Sequence, residues 1–118
     1  MDTLVRGTSM DGSIRVICAT TTDLVNKAVR IHNTYPVATA ALGRLLTAGS
    51  MMGNMLKSKD NTLTLRLAGG GPAGNLIVVS DWEGDVRGYV SNPVVEIPLN
   101  NKGKLDVAGA VGRSGNLY

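Results

Sequence analysis

The stretch Leu63-Thr64-Leu65-Arg66-Leu67-Ala68-Gly69-Gly70-Gly71-Pro72-Ala73-Gly74-Asn75-Leu76-Ile77-Val78-Val79-Ser80-Asp81, continued to Tyr89, decides the fold. Leu63, Leu65 and Leu67 alternate with polar residues, the period of a half-buried strand. Gly69, Gly71 and Gly74 formally spell G-x-G-x-x-G. A dinucleotide site needs a helix after the third glycine, whose free N–H groups hold a pyrophosphate. Instead, Leu76-Ile77-Val78-Val79 follows, a branched apolar run bounded by Asn75 and Ser80-Asp81, which predicts a strand. Pro72 also removes an N–H that a phosphate cradle would use. No Gly-Lys-Ser/Thr follows, so a P-loop is excluded. Gly69, Gly70, Gly71 and Pro72 are therefore expected to form a structural turn between two strands.

Working outward, Trp82-Glu83-Gly84-Asp85 predicts a turn and Asp85 to Val90 a third strand, closed by Ser91-Asn92-Pro93. Residues 62–90 thus read as an antiparallel meander. Upstream, Pro36 can open a helix at its first position, running to about Lys57. Ala38, Ala41/Leu42, Leu45, Ala48, Met52 and Met55/Leu56 form its apolar stripe, with Thr39, Gly43, Thr47, Ser50 and Asn54 opposite. Gly49 and Gly53 cost about 1 kcal/mol each against alanine in a helix, which implies close packing against another backbone. Arg44 and Asn54 argue against a membrane span. Met51, Met52, Met55 and Leu56 read either as core filling or as an adaptable binding surface for varied apolar partners.

A shorter helix is expected near residues 22–33, with Thr20-Thr21-Thr22 able to cap it and Asp23 favouring its positive end. Before it, Asp11-Gly12 is a turn signal that pairs residues 3–9 with 13–19 as a hairpin. Ile14, Val16 and Cys18 share one face of its second strand, so Cys18 reads as a small buried hydrophobe. Downstream, Pro98 bars residues 94–99 from a central strand. Residues 105–111 are ambiguous between a short helical turn and irregular structure, and 112–118 read as a loop entering a new strand. The fold class is α+β: layered β-sheets, hairpin plus meander, backed by two helices.

The chain has 118 residues, enough for one domain, with a net charge of +3. It contains no Phe, so Val, Ile, Leu, Met and Ala must build the core. The cations are mostly scattered, and a nucleic-acid surface would need them clustered. Cys18 is the single cysteine and His32 the single histidine. That excludes an intrachain disulfide or multi-cysteine metal site and leaves only an unsupported Cys18–His32 pair as nucleophile and base. His32, in a last helical turn, reads as structural. Asp81, Glu83 and Asp85 read as a solvated turn rather than a cation site. No catalytic or cofactor-binding residue is expected. No apolar run stands behind basic residues near Met1, so no secretory signal is expected.

The order of these segments resembles the N-terminal part of the redox-regulated heat-shock chaperones of the 33 kDa chaperonin family. The residues that carry the resemblance are Asp11-Gly12 with Arg15, Thr21-Thr22-Asp23, and Ala40-Ala41-Leu42-Gly43-Arg44. They continue with Gly69-Gly70-Gly71-Pro72, Val86-Arg87-Gly88-Tyr89-Val90-Ser91-Asn92-Pro93, and Gly103-Lys104-Leu105-Asp106-Val107. The resemblance covers nearly the whole chain. It implies an ATP-independent holdase that binds unfolding proteins under oxidative stress, is cytoplasmic, and dimerises when active. It implies a switch in a C-terminal zinc site of four cysteines, none of which is in this chain. Residues 1–118 are accordingly expected to be a single, C-terminally truncated N-terminal domain without that zinc and redox-switch domain. Expected partners are unfolded client proteins and a second copy of the chain, with no nucleic acid and no membrane. The alternatives are a nucleotide-using enzyme built on the Gly69–Gly74 loop and a mildly basic nucleic-acid-binding module.

Overall fold

Strand β3 (Thr62–Ala68) places Leu65 in the interior, with Leu63 and Leu67 half-buried beside it. The computed structural model, which describes residues 1–118, pairs β3 antiparallel with β4 (Asn75–Asp81) and β4 antiparallel with β5 (Val86–Val90). Leu65 stands opposite Val78, and Leu76 opposite Val90. β4 is flanked on both edges, so its branched run is stabilised by neighbours on either side. Leu76, Val78 and Ser80 are buried, while Ile77 and Val79 on the other face are half-buried. A short strand β6 (Asn116–Leu117) joins the free edge of β3, giving the order β5-β4-β3-β6.

Helix α2 (Pro36–Gly53) lies across this sheet and buries Val37, Ala38, Ala41, Leu42, Leu45 and Leu46 in the core shared with Leu65, Leu76 and Val78. Its glycines explain how closely it approaches. A Cβ on Gly49 would sit 2.6 Å from a Val78 methyl. One on Gly53 would sit 2.5 Å from the Asp81 carbonyl oxygen and overlap Ser80 Oγ. The helix stops at Gly53 rather than at Lys57. Met55 N–H donates to Met52 O (3.1 Å) and Leu56 N–H to Gly53 O (2.9 Å), so the end tightens into three-residue turns. Met55 and Leu56 therefore leave the helix.

The face expected to carry the polar residues of α2 is covered too. α1 (Thr22–His32) packs there, with Val25 methyls 3.1 Å from where a Gly43 Cβ would stand. Thr21 and Thr47 hydroxyls hydrogen-bond across the pair at 2.8 Å. The threonine run does not cap α1, because its side chains are used elsewhere. The cap comes from Asp2, whose carboxylate accepts from the N–H groups of Asp23 (3.1 Å) and Leu24 (2.8 Å).

Strands β1 (Leu4–Thr8) and β2 (Arg15–Ala19) form a separate two-stranded antiparallel sheet. Its turn is fixed by Asp11, which accepts from the Ser9 hydroxyl (2.7 Å), Ser13 N–H (3.0 Å) and the Ser13 hydroxyl (2.7 Å). Gly12 supplies the positive φ of 75° that the turn requires. The expectation of a buried Cys18 is reversed. Val5, opposite Cys18, is 63% exposed, Ile14 60% and Val16 51%, and Cys18 itself is exposed. The other face, with Leu4, Ile17 and Ala19 half-buried, turns inward. A hairpin alone has one supported face, and this one rests its Leu4/Ile17 side on the body.

A third helix, α3 (Val107–Val111), resolves the ambiguous segment. The Asp106 carboxylate caps it by accepting from Gly109 N–H at 3.0 Å. The glycine run docks on it: Gly71 N–H donates to Val111 O (3.0 Å) and Ala73 N–H to Ala110 O (2.9 Å). A Cβ on Gly71 would stand 2.5 Å from the Ala110 carbonyl oxygen, so this approach needs glycine.

Candidate functional site

The apolar end of α2 is split three ways. Met51 is half-buried in the shallow hollow between α1 and α2, beside Val25, Gly43 and Ala48. Met52 is 43% exposed and Met55 46% exposed. Core filling therefore does not describe Met52 and Met55, while Met51 and Leu56 are half-buried; α2 ends at Gly53, so Met55 and Leu56 lie beyond it. They line a groove of about 490 Å³ against the hairpin, together with Arg6, Arg15, Asn54 and Lys57.

The hairpin supplies what the sequence did not reveal. Arg6 stands opposite Ile17, and Arg15 opposite Thr8. The two arginines thus share the inward face as diagonal neighbours, roughly 7–8 Å apart. Arg6 reaches the Asn54 carbonyl oxygen at 3.5 Å. The exposed outer face, with Val5, Ile14 and Val16, was also missed. Val16 and Ile17 lie on opposite faces of one short strand, so apolar alternation did not single out a buried side. The signal available was the two-sided apolar character itself.

The other predicted residues fall elsewhere. Gly69, Gly70, Gly71 and Pro72 close the β3–β4 connection, with a strand and not a helix after Gly74. The chemistry a pyrophosphate site needs is thus not assembled there. Asp81 Oδ1 accepts from the N–H groups of Glu83 (2.9 Å) and Asp85 (3.1 Å), so this carboxylate serves its own turn. His32 lines a hollow with Leu24, Lys27, Ile31, Leu46 and Arg87, and Cys18 is not part of that lining. No group of three or more His, Cys, Asp or Glu is close enough to hold a metal ion. The residues here do not fit a zinc site, which takes four clustered thiolate or imidazole ligands. At the hairpin tip, hydrogen bonds from the Ser9 hydroxyl and then from Ser13 hold the Asp11 carboxyl down at about 2, below the ordinary carboxylate range. No helix is long and apolar enough to cross a membrane.

A family model described as Hsp33 protein matches residues 2–118. The chain is 52% identical over 116 residues to a 33 kDa chaperonin of Clostridium tetani, covering 98% of this chain and 40% of that protein. It is 54% identical over 116 residues to a 33 kDa chaperonin of a Geobacillus species, covering 98% of this chain and 39% of that protein. The crystal structure of the 33 kDa chaperonin, a heat shock protein 33 homolog, from Thermotoga maritima superposes with a TM-score of 0.88 at 34% identity. That superposition covers 98% of this chain and 43% of the Thermotoga chain. The chain thus spans about 40% of the length of the Clostridium tetani protein.

Proposed function

The chain belongs to the Hsp33 family, and we propose that it is part of an ATP-independent holdase that binds unfolding proteins under oxidative stress. A holdase needs exposed apolar surface tolerant of many partners, not a shaped catalytic pocket. The observation that carries this reading is the exposure of Met52 and Met55, with Val5 and Val16 exposed on the hairpin. Methionine is unbranched and polarisable, so it adapts to apolar partners of different shape. In this reading the protein is a cytoplasmic binding protein rather than an enzyme, acts as a dimer, and takes no nucleic acid or membrane as partner. Redox control belongs to a zinc-binding cysteine cluster, which Cys18 alone does not provide.

Light scattering from a thermally unfolding client, with no ATP present, tests the proposal. Oxidised full-length protein carrying this segment is expected to suppress the scattering at near-stoichiometric amounts, and its Met52→Gln/Met55→Gln variant to suppress it less. An oxidised protein that leaves the scattering unchanged would overturn the chaperone reading.

A further inference from the structure

The groove between the hairpin and the end of α2 has an electrostatic character that apolar binding does not use. Three cations, Arg6, Arg15 and Lys57, line it, and no carboxylate does. The two ion pairs of the molecule are Met1 ammonium with Asp23 and Arg113 with Asp106, so none of the three is neutralised by a partner. Like charges on neighbouring strand positions repel, and here only the Asn54 carbonyl oxygen, which accepts from Arg6, lies against them. The apolar wall of the same groove is Met55 and Leu56. Asn54, also in the lining, contributes its carbonyl oxygen, which accepts from Arg6 at 3.5 Å.

From these observations we propose that the groove takes an extended client segment in which acidic side chains alternate with apolar ones. Arg6 and Arg15 receive the carboxylates, and Met55 and Leu56 the apolar side chain. Guanidinium groups pair with carboxylates through two parallel N–H···O bonds, which makes the contact selective as well as attractive. A polynucleotide would engage the cations, but it would present no aliphatic side chains to Met55 and Leu56. The inference rests on the holdase reading and adds the chemical class of client segment to it.

The test uses the chain with peptides carrying an uncharged dye: one of alternating Glu and Leu, its Gln/Leu counterpart, and a single-stranded oligonucleotide. Fluorescence anisotropy is expected to show the Glu peptide binding about tenfold tighter than the Gln peptide at low salt. The gap should narrow at high salt, because exposed charges are screened. Arg6→Gln/Arg15→Gln should abolish the gap, and Met55→Ser should weaken both peptides. All these substitutions are at exposed positions, and circular dichroism of each variant checks that the fold is kept. Equal affinity for both peptides, or a gap that survives in the double arginine variant, overturns the acidic preference. So does tighter binding of the oligonucleotide than of the Glu peptide. If that preference fails while client scattering is still suppressed, the holdase reading stands alone. If suppression fails as well, both fall.

Discussion

Val78 and Val16 are the same side chain in antiparallel strands, yet Val78 is fully buried and Val16 is 51% exposed. Val78 lies on β4, with a strand on each edge and α2 over its face. Val16 lies on β2, in a sheet of two strands whose outer side nothing in the chain covers. Strand character sets which residues share a face. Whether that face is buried depends on a second layer, and the chain supplies none to the outer face of the hairpin. The body is thus packed tightly enough to require glycine, and the hairpin leaves Val5, Ile14 and Val16 exposed.

The largest consequence of this contrast is energetic. Leu76→Ala should destabilise the chain by about 2–5 kcal/mol, the usual cost of truncating a fully buried leucine. Val16→Ala should change stability by no more than about 0.5 kcal/mol, as at ordinary surface sites. Urea unfolding of both variants decides it, and comparable losses would erase the distinction between the regions. A smaller effect is expected where they are tied together. Asp2 precedes β1 and caps α1, so Asp2→Ala should cost about 1 kcal/mol. A shift in denaturation midpoint reads this out, and an unshifted midpoint would mean the hairpin is fastened by other contacts. The smallest effect lies at the hairpin tip. Its hydrogen bonds pull the Asp11 carboxyl down to about 2 in the folded chain, below the ordinary aspartate value of about 3.9. Its contribution is therefore present above about pH 4 and lost as pH falls toward 2. The Ser13 amide resonance should move over that interval while the amides of β4 do not.

Much of the body was legible because its signals are local. The Leu63/Leu65/Leu67 alternation, the branched run after Gly74 and the proline at the start of α2 each report on their own backbone. The hairpin was legible as a hairpin through Asp11-Gly12, but its orientation was not. Ile14 and Val16 face one way and Ile17 the other, so hydrophobicity did not choose between them, and the choice fell to contact with α2. The cap of α1 was hidden for the same reason: Asp2 and Leu24 meet only in three dimensions. α3 has five residues and β6 two, too short for a periodic pattern to show. At the candidate site, Met55 and Leu56 were visible as an apolar cluster. That α2 ends at Gly53 and leaves them outside it was not. Arg6 and Arg15 read as scattered charges until the strand register placed them on one face.

The docking of the β3–β4 loop on α3 has a consequence for observing the molecule as it opens. A helix of five residues does not hold together on its own. Its carbonyl oxygens nevertheless receive the amides of Gly71 and Ala73, far away in sequence. Those two protons can exchange with solvent deuterium only when the segment 107–112 lifts off, so their exchange rates clock that undocking separately from the unravelling of the sheet.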